Sequence, residues 1–366
     1  MKIAFIGMGK ISKESRDVRQ NLLYEVTKKL YHQYNTPIVI VCDKEYKPFG
    51  EMEGIEFVPS RYSQSQNPLM FYYDSLQKAI KCSDIIYSFG FWGGVFSFLI
   101  PCNKKLITAI DRIAYQSDKN SKLMRILLKL FYARAFQKSD VVVCNSYALE
   151  RYLIASYQLK NTKVIEYGVH INRHLEHQNY QSTTLLKHYN LIPKSYHLII
   201  APLKPTNAID TMIQGYQRSS RHYPLVIVGK LHKSLYCKKL KNIANLSVIF
   251  IEDREKKEDL DILRANATSY FHGDSVGNDA HALLQAMASK RIILAHDTLF
   301  NREFLGEYGL YWRSPNELNE LIKKVESDPV RYHHYTQSNY KKIITYYNWR
   351  EIAKRYYKLF KALSPL

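Results

Sequence analysis

Residues 270–288 read Tyr-Phe-His-Gly-Asp-Ser-Val-Gly-Asn-Asp-Ala-His-Ala-Leu-Leu-Gln-Ala-Met-Ala. Residues 292–297 follow as Ile-Ile-Leu-Ala-His-Asp, and residues 300–306 as Phe-Asn-Arg-Glu-Phe-Leu-Gly. A short apolar strand ends at Phe271, a loop carries Gly273 and Gly277, and a helix opens near Ala280. Leu283, Leu284 and Met287 recur at helical spacing and form its buried stripe. A small-residue loop opening a helix suits an anion, because the first helical N–H groups are unpaired and the dipole is positive there. An ordinary strand-loop-helix turn has the same pattern, so the loop alone does not decide.

The alternation continues on both sides. In the second half, strand patterns stand at 197–201, 224–228, 247–251, 268–271 and 292–295. Helical patterns stand at 235–243, 256–265, 280–288 and 315–326. In the first half, strands are expected at 2–6, 38–42, 55–58, 84–89, 105–110, 140–144 and 163–166. Helices are expected there at 17–32, 69–81, 121–138 and 145–155, the last capped by Asn145-Ser146. Strands alternating with helices at this spacing predict parallel sheets with right-handed crossovers. No sequence repeat links the halves. The polar stretch 174–184 lacks a strong period and is read as the connection. The fold class is therefore α/β, with two Rossmann-like domains facing a cleft, over 1–172 and 173–345. Trp349, Ile352, Tyr356 and Phe360 recur at helical spacing in a terminal helix within 346–366.

Open parallel sheets bind ligands at the carboxyl ends of their strands. Gly7 and Gly9 close the first strand, but the third glycine of a dinucleotide fingerprint is absent. Gly90, Gly93 and Gly94 form a second small-residue loop. Asp111 ends a strand, where it can orient or deprotonate a hydroxyl, or simply cap a turn. The helix expected over 121–138 places Leu123, Ile126, Leu127, Leu130, Phe131 and Phe136 on one side, amid Lys122, Arg125, Lys129 and Arg134. Such a helix either packs into the core or rests on an anionic membrane surface.

The 270–310 stretch resembles the donor-binding segment of family-4 retaining glycosyltransferases, above all a bacterial rhamnosyltransferase-like branch. That branch reads His-Gly-His-Ser-Val-Gly-Gly-Thr-Asn-Pro-Ser-Leu-Leu-Glu-Ala-Met, then a strand, then Phe-Asn-Arg-Glu. His272, Gly273, Ser275, Val276, Gly277, Leu283, Leu284, Ala286, Met287 and Phe300 to Glu303 stand as in the family. Asp274 replaces a histidine, Asn278-Asp279-Ala280 replaces Gly-Thr-Asn, and Gln285 replaces a glutamate. Residues 201–209 also match, through Pro205, Asn207 and Ile209, while Pro202 stands where the family has a diphosphate-gripping arginine. Lys204 and Lys230 are basic substitutes, or exposed surface lysines. The Trp349-x-x-Ile-Ala-x-x-Tyr segment resembles the family's last helix, which crosses back to the first domain.

The resemblance implies the GT-B fold and a nucleotide-sugar donor held by His272, Gly273, Ser275, Gly277, Asn207, Lys204 and Lys230. It places Gln285 on the ribose, Asn301 and Glu303 on the sugar, Asp111 on the acceptor, and Gly7 and Gly9 against the donor phosphates. The acceptor would be lipid-linked or a polysaccharide, as in bacterial capsule, O-antigen or exopolysaccharide synthesis. No Asp-x-Asp motif stands at a strand end, so neither metal nor cofactor is expected. Loss of the arginine and the glutamate leaves open a non-catalytic binding or partner subunit.

Composition sets the outer limits. In 366 residues, apolar types make up 46%, which excludes a disordered chain. No apolar run reaches the roughly 18 residues of a membrane span, and the N-terminus reads as a strand rather than a signal peptide. The formal charge of +20 implies an anionic partner: a phosphorylated substrate, acidic lipid or nucleic acid. Nucleic acid is the less favoured, because no zinc-finger or RNA-recognition motif appears. Five unpaired-looking cysteines, mostly beside apolar strands, are expected as buried free thiols in a reducing cytoplasm. A cytoplasmic protein, peripheral on the inner membrane face, is the expectation.

Overall fold

The computed structural model describes residues 1–12, 17–46, 52–90, 95–116, 121–171, 180–218, 223–231, 234–252, 257–277 and 280–364. The chain divides into two compact units, Met1–Gly168 with Trp349–Leu366, and Val169–Asn348. Gly93 and Gly94 of the expected glycine loop, and Asn278 and Asp279, lie outside the described residues.

The first unit is built on parallel strands β1 (Ile3–Ile6), β2 (Ile38–Cys42), β3 (Glu56–Pro59), β4 (Ile85–Phe89), β5 (Lys105–Ile110), β6 (Val141–Cys144) and β7 (Thr162–Val164). Their spatial order is β3-β2-β1-β4-β5-β6-β7. The central strands are apolar without alternation and buried throughout, as a sheet covered on both faces requires. Helix α1 (Val18–Tyr34) starts at Asp17, whose side chain accepts the Arg19 N–H. Helices α2 (Pro68–Cys82), α3 (Lys122–Lys138) and α4 (Tyr147–Tyr157) are capped by Asn67, Ser121 and Ser146. The cap of α4 is Ser146 alone, so Asn145 is free of the capping role expected for the pair.

The second unit carries α5 (Tyr180–His188), β8 (His197–Ile200), α6 (Ile209–Arg218), β9 (Leu225–Gly229), α7 (Leu235–Ile243), β10 (Val248–Glu252), α8 (Lys257–Asn266) and β11 (Ser269–His272). It continues with α9 (Ala280–Ala288), β12 (Ile292–His296), α10 (Leu299–Leu305), β13 (Leu310–Trp312), α11 (Pro315–Ser327) and α12 (His333–Tyr346). The strand order is β10-β9-β8-β11-β12-β13, again parallel. Leu283, Leu284 and Met287 are fully buried on α9.

The units part at Gly168, and residues 180–188 are helical. A polar segment with one apolar face too short to show a period still folds when it lies against a sheet domain. Residues 172–179 lie outside the described residues.

The terminal helix α13 (Trp349–Leu363) packs within the first unit. Its Tyr356 hydroxyl meets that of Tyr87 at 3.0 Å, and Arg355 pairs with Glu166 at 2.6 Å. Tyr357 stacks on Tyr34 of α1, with ring centroids 4.0 Å apart. A β-carbon on Gly168 would stand 2.6 Å from the Trp349 indole, so only glycine admits this helix start.

One packing expectation is corrected, and the apolar residues of α3 divide between core and surface. Cys42, Cys144 and Cys237 are buried free thiols, but Cys102 is exposed and Cys82 half-buried. On α3, Leu128, Tyr132, Ala135 and Phe136 face the core. Leu123 (69% exposed), Ile126 (58%) and Leu130 (60%) face solvent, with Met124 and Leu127 beside them. Its buried residues all lie from Leu128 onward, so the first turns keep their apolar side chains outside. No described helix is long and apolar enough to cross a membrane.

Candidate functional site

The carboxyl edge of the second sheet gathers most of the residues singled out in the sequence. The β11 strand ends at His272, and Gly273 follows between the loop after β8 and helix α9. A β-carbon on Gly273 would lie 2.0 Å from the Asn207 carbonyl oxygen, so the two loops touch through backbone. Ser275 fastens them: its N–H and hydroxyl both donate to the Thr206 carbonyl, at 3.0 and 2.8 Å. Gly277 has φ +72, and a β-carbon there would stand 2.3 Å from the Phe300 ring. Lys204 and Lys230 are exposed on the loops after β8 and β9, which are neighbouring strands. Gln285 is half-buried on the second turn of α9.

Several residues expected to touch ligand have structural duties instead. The Asn207 amide donates to the Pro202 carbonyl at 2.8 Å and is buried. Asn301 is 2% exposed, and its amide nitrogen donates to Asp274 O at 3.0 Å and His296 O at 2.8 Å. Both of its amide hydrogens are thus spent on the scaffold, and a sugar would have to displace them. Glu303 lies inside α10, not in a strand-to-helix loop, because Thr298 already caps that helix by accepting from Asn301 N. Arg302 does not pair with Glu303. It and Arg313 both grip Asp297, with Arg313 Nε at 2.8 Å.

Beneath the loop lie three polar groups that no motif announced as a unit. His272 (3% exposed) and Asp274 (2%) are buried, and His296 follows Ala295, the partner of His272 across β11 and β12. His272 Nε2 and His296 Nδ1 are buried without hydrogen-bond partners among the described residues. Burial pushes the His272 imidazole down to about 4, with Asp274 pulling the other way. It is therefore neutral at pH 7. The signal available in the sequence was position: each stands at or just beyond a strand's carboxyl end.

In the first unit, Asp111 lines a small hollow of about 20 Å³, room for about one water, with Arg19, Tyr87, Phe89, Asn145 and Tyr167. The Tyr167 hydroxyl donates to Asp111 Oδ2 at 3.3 Å, and Arg19 Nε stands 3.8 Å from the same oxygen. Arg19 also holds Asp17 by two hydrogen bonds, of 3.0 and 2.7 Å. Burial works against the Asp17 charge, but Arg19 outweighs it and keeps the carboxyl below its usual range. Asp111 is thus oriented by two side chains and is not a helix cap. Arg19 and Tyr167 lie far from Asp111 along the chain, so no spacing linked them to it.

Gly7 and Gly9 are occupied by the protein itself. The Gly9 N–H donates to Gln64 Oε1 at 2.7 Å. The Gly7 carbonyl receives Gln64 Nε2 at 2.9 Å and the Tyr72 hydroxyl at 3.1 Å. A β-carbon on Gly7 would meet the Phe89 carbonyl at 2.8 Å. These glycines allow close packing of β1, α2 and β4, and Gly9 has no N–H left for a phosphate.

Against this geometry, residues 190–342 match the family described as Glycosyl transferases group 1, a span that lies within the second unit. No curated protein matches the chain in sequence. Among solved structures, a sucrose-phosphate synthase from Thermosynechococcus elongatus aligns with TM-score 0.75 at 14% identity, over 99% of this chain and 98% of its own. Anabaena Alr3699/HepE in complex with UDP aligns with TM-score 0.75 at 15% identity, over 99% and 100%. WaaG, a glycosyltransferase involved in lipopolysaccharide biosynthesis, aligns with TM-score 0.70 at 15% identity, over 98% and 99%. Identities of this size speak for the fold alone, and that fold is GT-B, with two Rossmann-like domains of which the second carries the segment similar to group 1 glycosyl transferases.

Proposed function

We propose that the chain is a retaining glycosyltransferase of family 4, near the bacterial rhamnosyltransferase-like branch. It moves a sugar from a nucleotide sugar to a lipid-linked or polysaccharide acceptor in bacterial surface-glycan synthesis. The observation that carries the proposal is the carboxyl edge of the second sheet. There the loop from Gly273 to Gly277 leads toward α9, with Lys204 and Lys230 exposed on the adjoining loops. Helix amino ends and cations stabilise a departing diphosphate. HepE in complex with UDP-glucose shares this fold, which favours a uridine nucleotide.

In this reading the second unit holds the donor and the first the acceptor. Gln285 receives or donates one ribose hydrogen bond. Asp111, held by Tyr167 and Arg19, orients the acceptor hydroxyl and takes its proton as that oxygen bonds to the anomeric carbon. The exposed apolar half of α3, set among Lys122, Arg125 and Lys129, favours a peripheral place on an anionic cytoplasmic membrane face.

A second reading, a binding or partner subunit without transfer, is favoured by Pro202 and Gln285 standing where the family has arginine and glutamate. Calorimetry with UDP, GDP and dTDP separates the two. Binding, followed by release or transfer of sugar when the matching nucleotide sugar is supplied, supports the enzyme. No binding of any of them at millimolar concentration eliminates sugar transfer.

A further inference from the structure

We infer that the first unit carries a second, non-catalytic binding site at the amino edge of its sheet, and that its ligand is a neutral sugar ring. The inference goes beyond the transferase reading and stands or falls separately from it.

The site follows from topology. Helix α3 leads into β6 and α4 into β7, and these strands are parallel neighbours, with Val142 paired to Thr162. The carboxyl ends of the two helices therefore lie side by side where the strands begin. Between them the surface opens into a hollow of about 310 Å³, at the lower end of the range for small-molecule sites. It shares no lining residue with the hollow at Asp111, which lies at the carboxyl ends of the strands.

The lining says what fits. Phe136 and Tyr157 form one corner, edge to face, with ring centroids 5.0 Å apart. Gln137 from the last turn of α3, Gln158 at the end of α4 and Asn161 before β7 supply three primary amides. All three residues are exposed, and none of these side chains has a hydrogen-bond partner among the described residues. A primary amide offers an acceptor oxygen and two N–H donors, which complements a ring hydroxyl that both donates and accepts. No carboxylate lines the hollow, and its one charged group is Lys160. A cation would meet that lysine with no counter-charge. An anion would have a single ammonium and would face two helix carboxyl ends, where the dipole is negative. A neutral ring with hydroxyls around its edge and C–H groups on its face matches both the amides and the aromatic corner. A ring held there sits at the opposite end of β6 from the Asp111 hollow, so the site anchors a glycan and does not react with it.

The test titrates the isotope-labelled full chain with methyl glycosides of glucose, galactose, mannose and rhamnose at tens of millimolar, followed by NMR. The side-chain amide signals of Gln137, Gln158 and Asn161 are assigned by their loss in the single alanine variants. At least one glycoside should move these signals. Gln137→Ala and Asn161→Ala should each weaken its binding roughly three- to tenfold, the loss of one neutral hydrogen bond. Their melting points should match the wild type, because neither amide bonds to the protein. Ala133→Trp, on the half-buried wall of the hollow, should fill it and abolish binding. Methyl glucuronide, glycerol phosphate and uridine are titrated in parallel. The proposal is overturned if no neutral glycoside moves the amide signals, or if only one of these other three ligands does. It is also overturned if the Gln137→Ala, Asn161→Ala double variant binds the glycoside as tightly as wild type. UDP calorimetry on the same samples keeps the two readings apart: loss of UDP binding removes the transferase and leaves this site, whereas unmoved amide signals remove this site alone.

Discussion

The Phe300 ring occupies the space that a β-carbon on residue 277 would need. Gly277 sits at φ +72, and the ring carbon is 2.3 Å from the ideal β-carbon position. Two segments that resemble one family, over 272–287 and 300–303, are thus one packing unit. The aromatic side chain of the second presses on the backbone of the first and sets the path of the loop toward α9.

Gly277→Ala should therefore be damaging twice over. Positive φ costs an alanine about 1–2 kcal/mol, and the ring must also move. The expected outcome is a lower melting point of the second unit and at least tenfold weaker nucleotide binding. Adding Phe300→Ala to Gly277→Ala should restore part of the binding by removing the obstacle. If the pair is no better than the single variant, the ring does not shape this loop.

Asn301 should prove a stability residue. Asn301→Ala leaves the Asp274 and His296 carbonyls without its two hydrogen bonds. The expected loss is about 2–4 kcal/mol, or roughly 5–15 °C in the melting point of a unit of this size. Thermal unfolding followed by circular dichroism checks this. An unchanged midpoint with lost sugar selectivity would return Asn301 to the donor pocket.

The buried histidines predict a pH dependence with a definite sign. His272 is pushed from the ordinary imidazole value of 6.5 to about 4 in the fold, chiefly by burial. Between these values the unfolded chain takes up the proton and the folded chain does not. The contribution is complete above pH 6.5 and is lost as pH falls toward 4, on the order of 3 kcal/mol. His296 is shifted in the same direction, also by burial first. Urea unfolding at pH 7, 6, 5 and 4.5 should show falling stability, with a shallower fall in His272→Gln.

The exposed half of α3 predicts sedimentation with vesicles of phosphatidylglycerol but not phosphatidylcholine. Leu123→Ser, Ile126→Ser and Leu130→Ser together should abolish it while leaving the melting point within about 1–2 °C, since these side chains are already exposed. Raising salt should weaken the wild type's binding. Vesicle binding that survives the triple change would place the contact elsewhere.

Gln285→Glu should tighten UDP binding by about fivefold, because a charged acceptor holds a ribose hydroxyl more strongly than an amide does. Pro202→Arg should add a second gain through diphosphate contact. Calorimetry reads both. No gain from either would mean that the donor pocket is closed to nucleotide in this chain.

The alternation of apolar runs with helical stripes determined both sheets, and each expected strand and helix has a described counterpart. What escaped were short or weakly patterned elements. Residues Leu310–Trp312 form a three-residue strand, too brief for a period, and Ile209–Arg218, Leu299–Leu305 and His333–Tyr346 form helices that were not foreseen. The motif around Gly273 was legible because strand, loop and helix are contiguous in the chain.

By itself the sequence determined the fold class and which loops stand at the carboxyl ends of the strands, since both follow from local periodicity. Only the tertiary structure decided what each polar group there is free to do. Gly9, Ser275 and Asn301 are spent on Gln64, Thr206 and two distant carbonyls, while the Asn145 oxygen is left unpaired beside Asp111. A hydrogen bond across 69 residues of chain, like that from Ser275 to Thr206, leaves no trace in the spacing of either segment. The reason is that a side chain's partner is set by which strands become neighbours, and that is a property of the folded sheet.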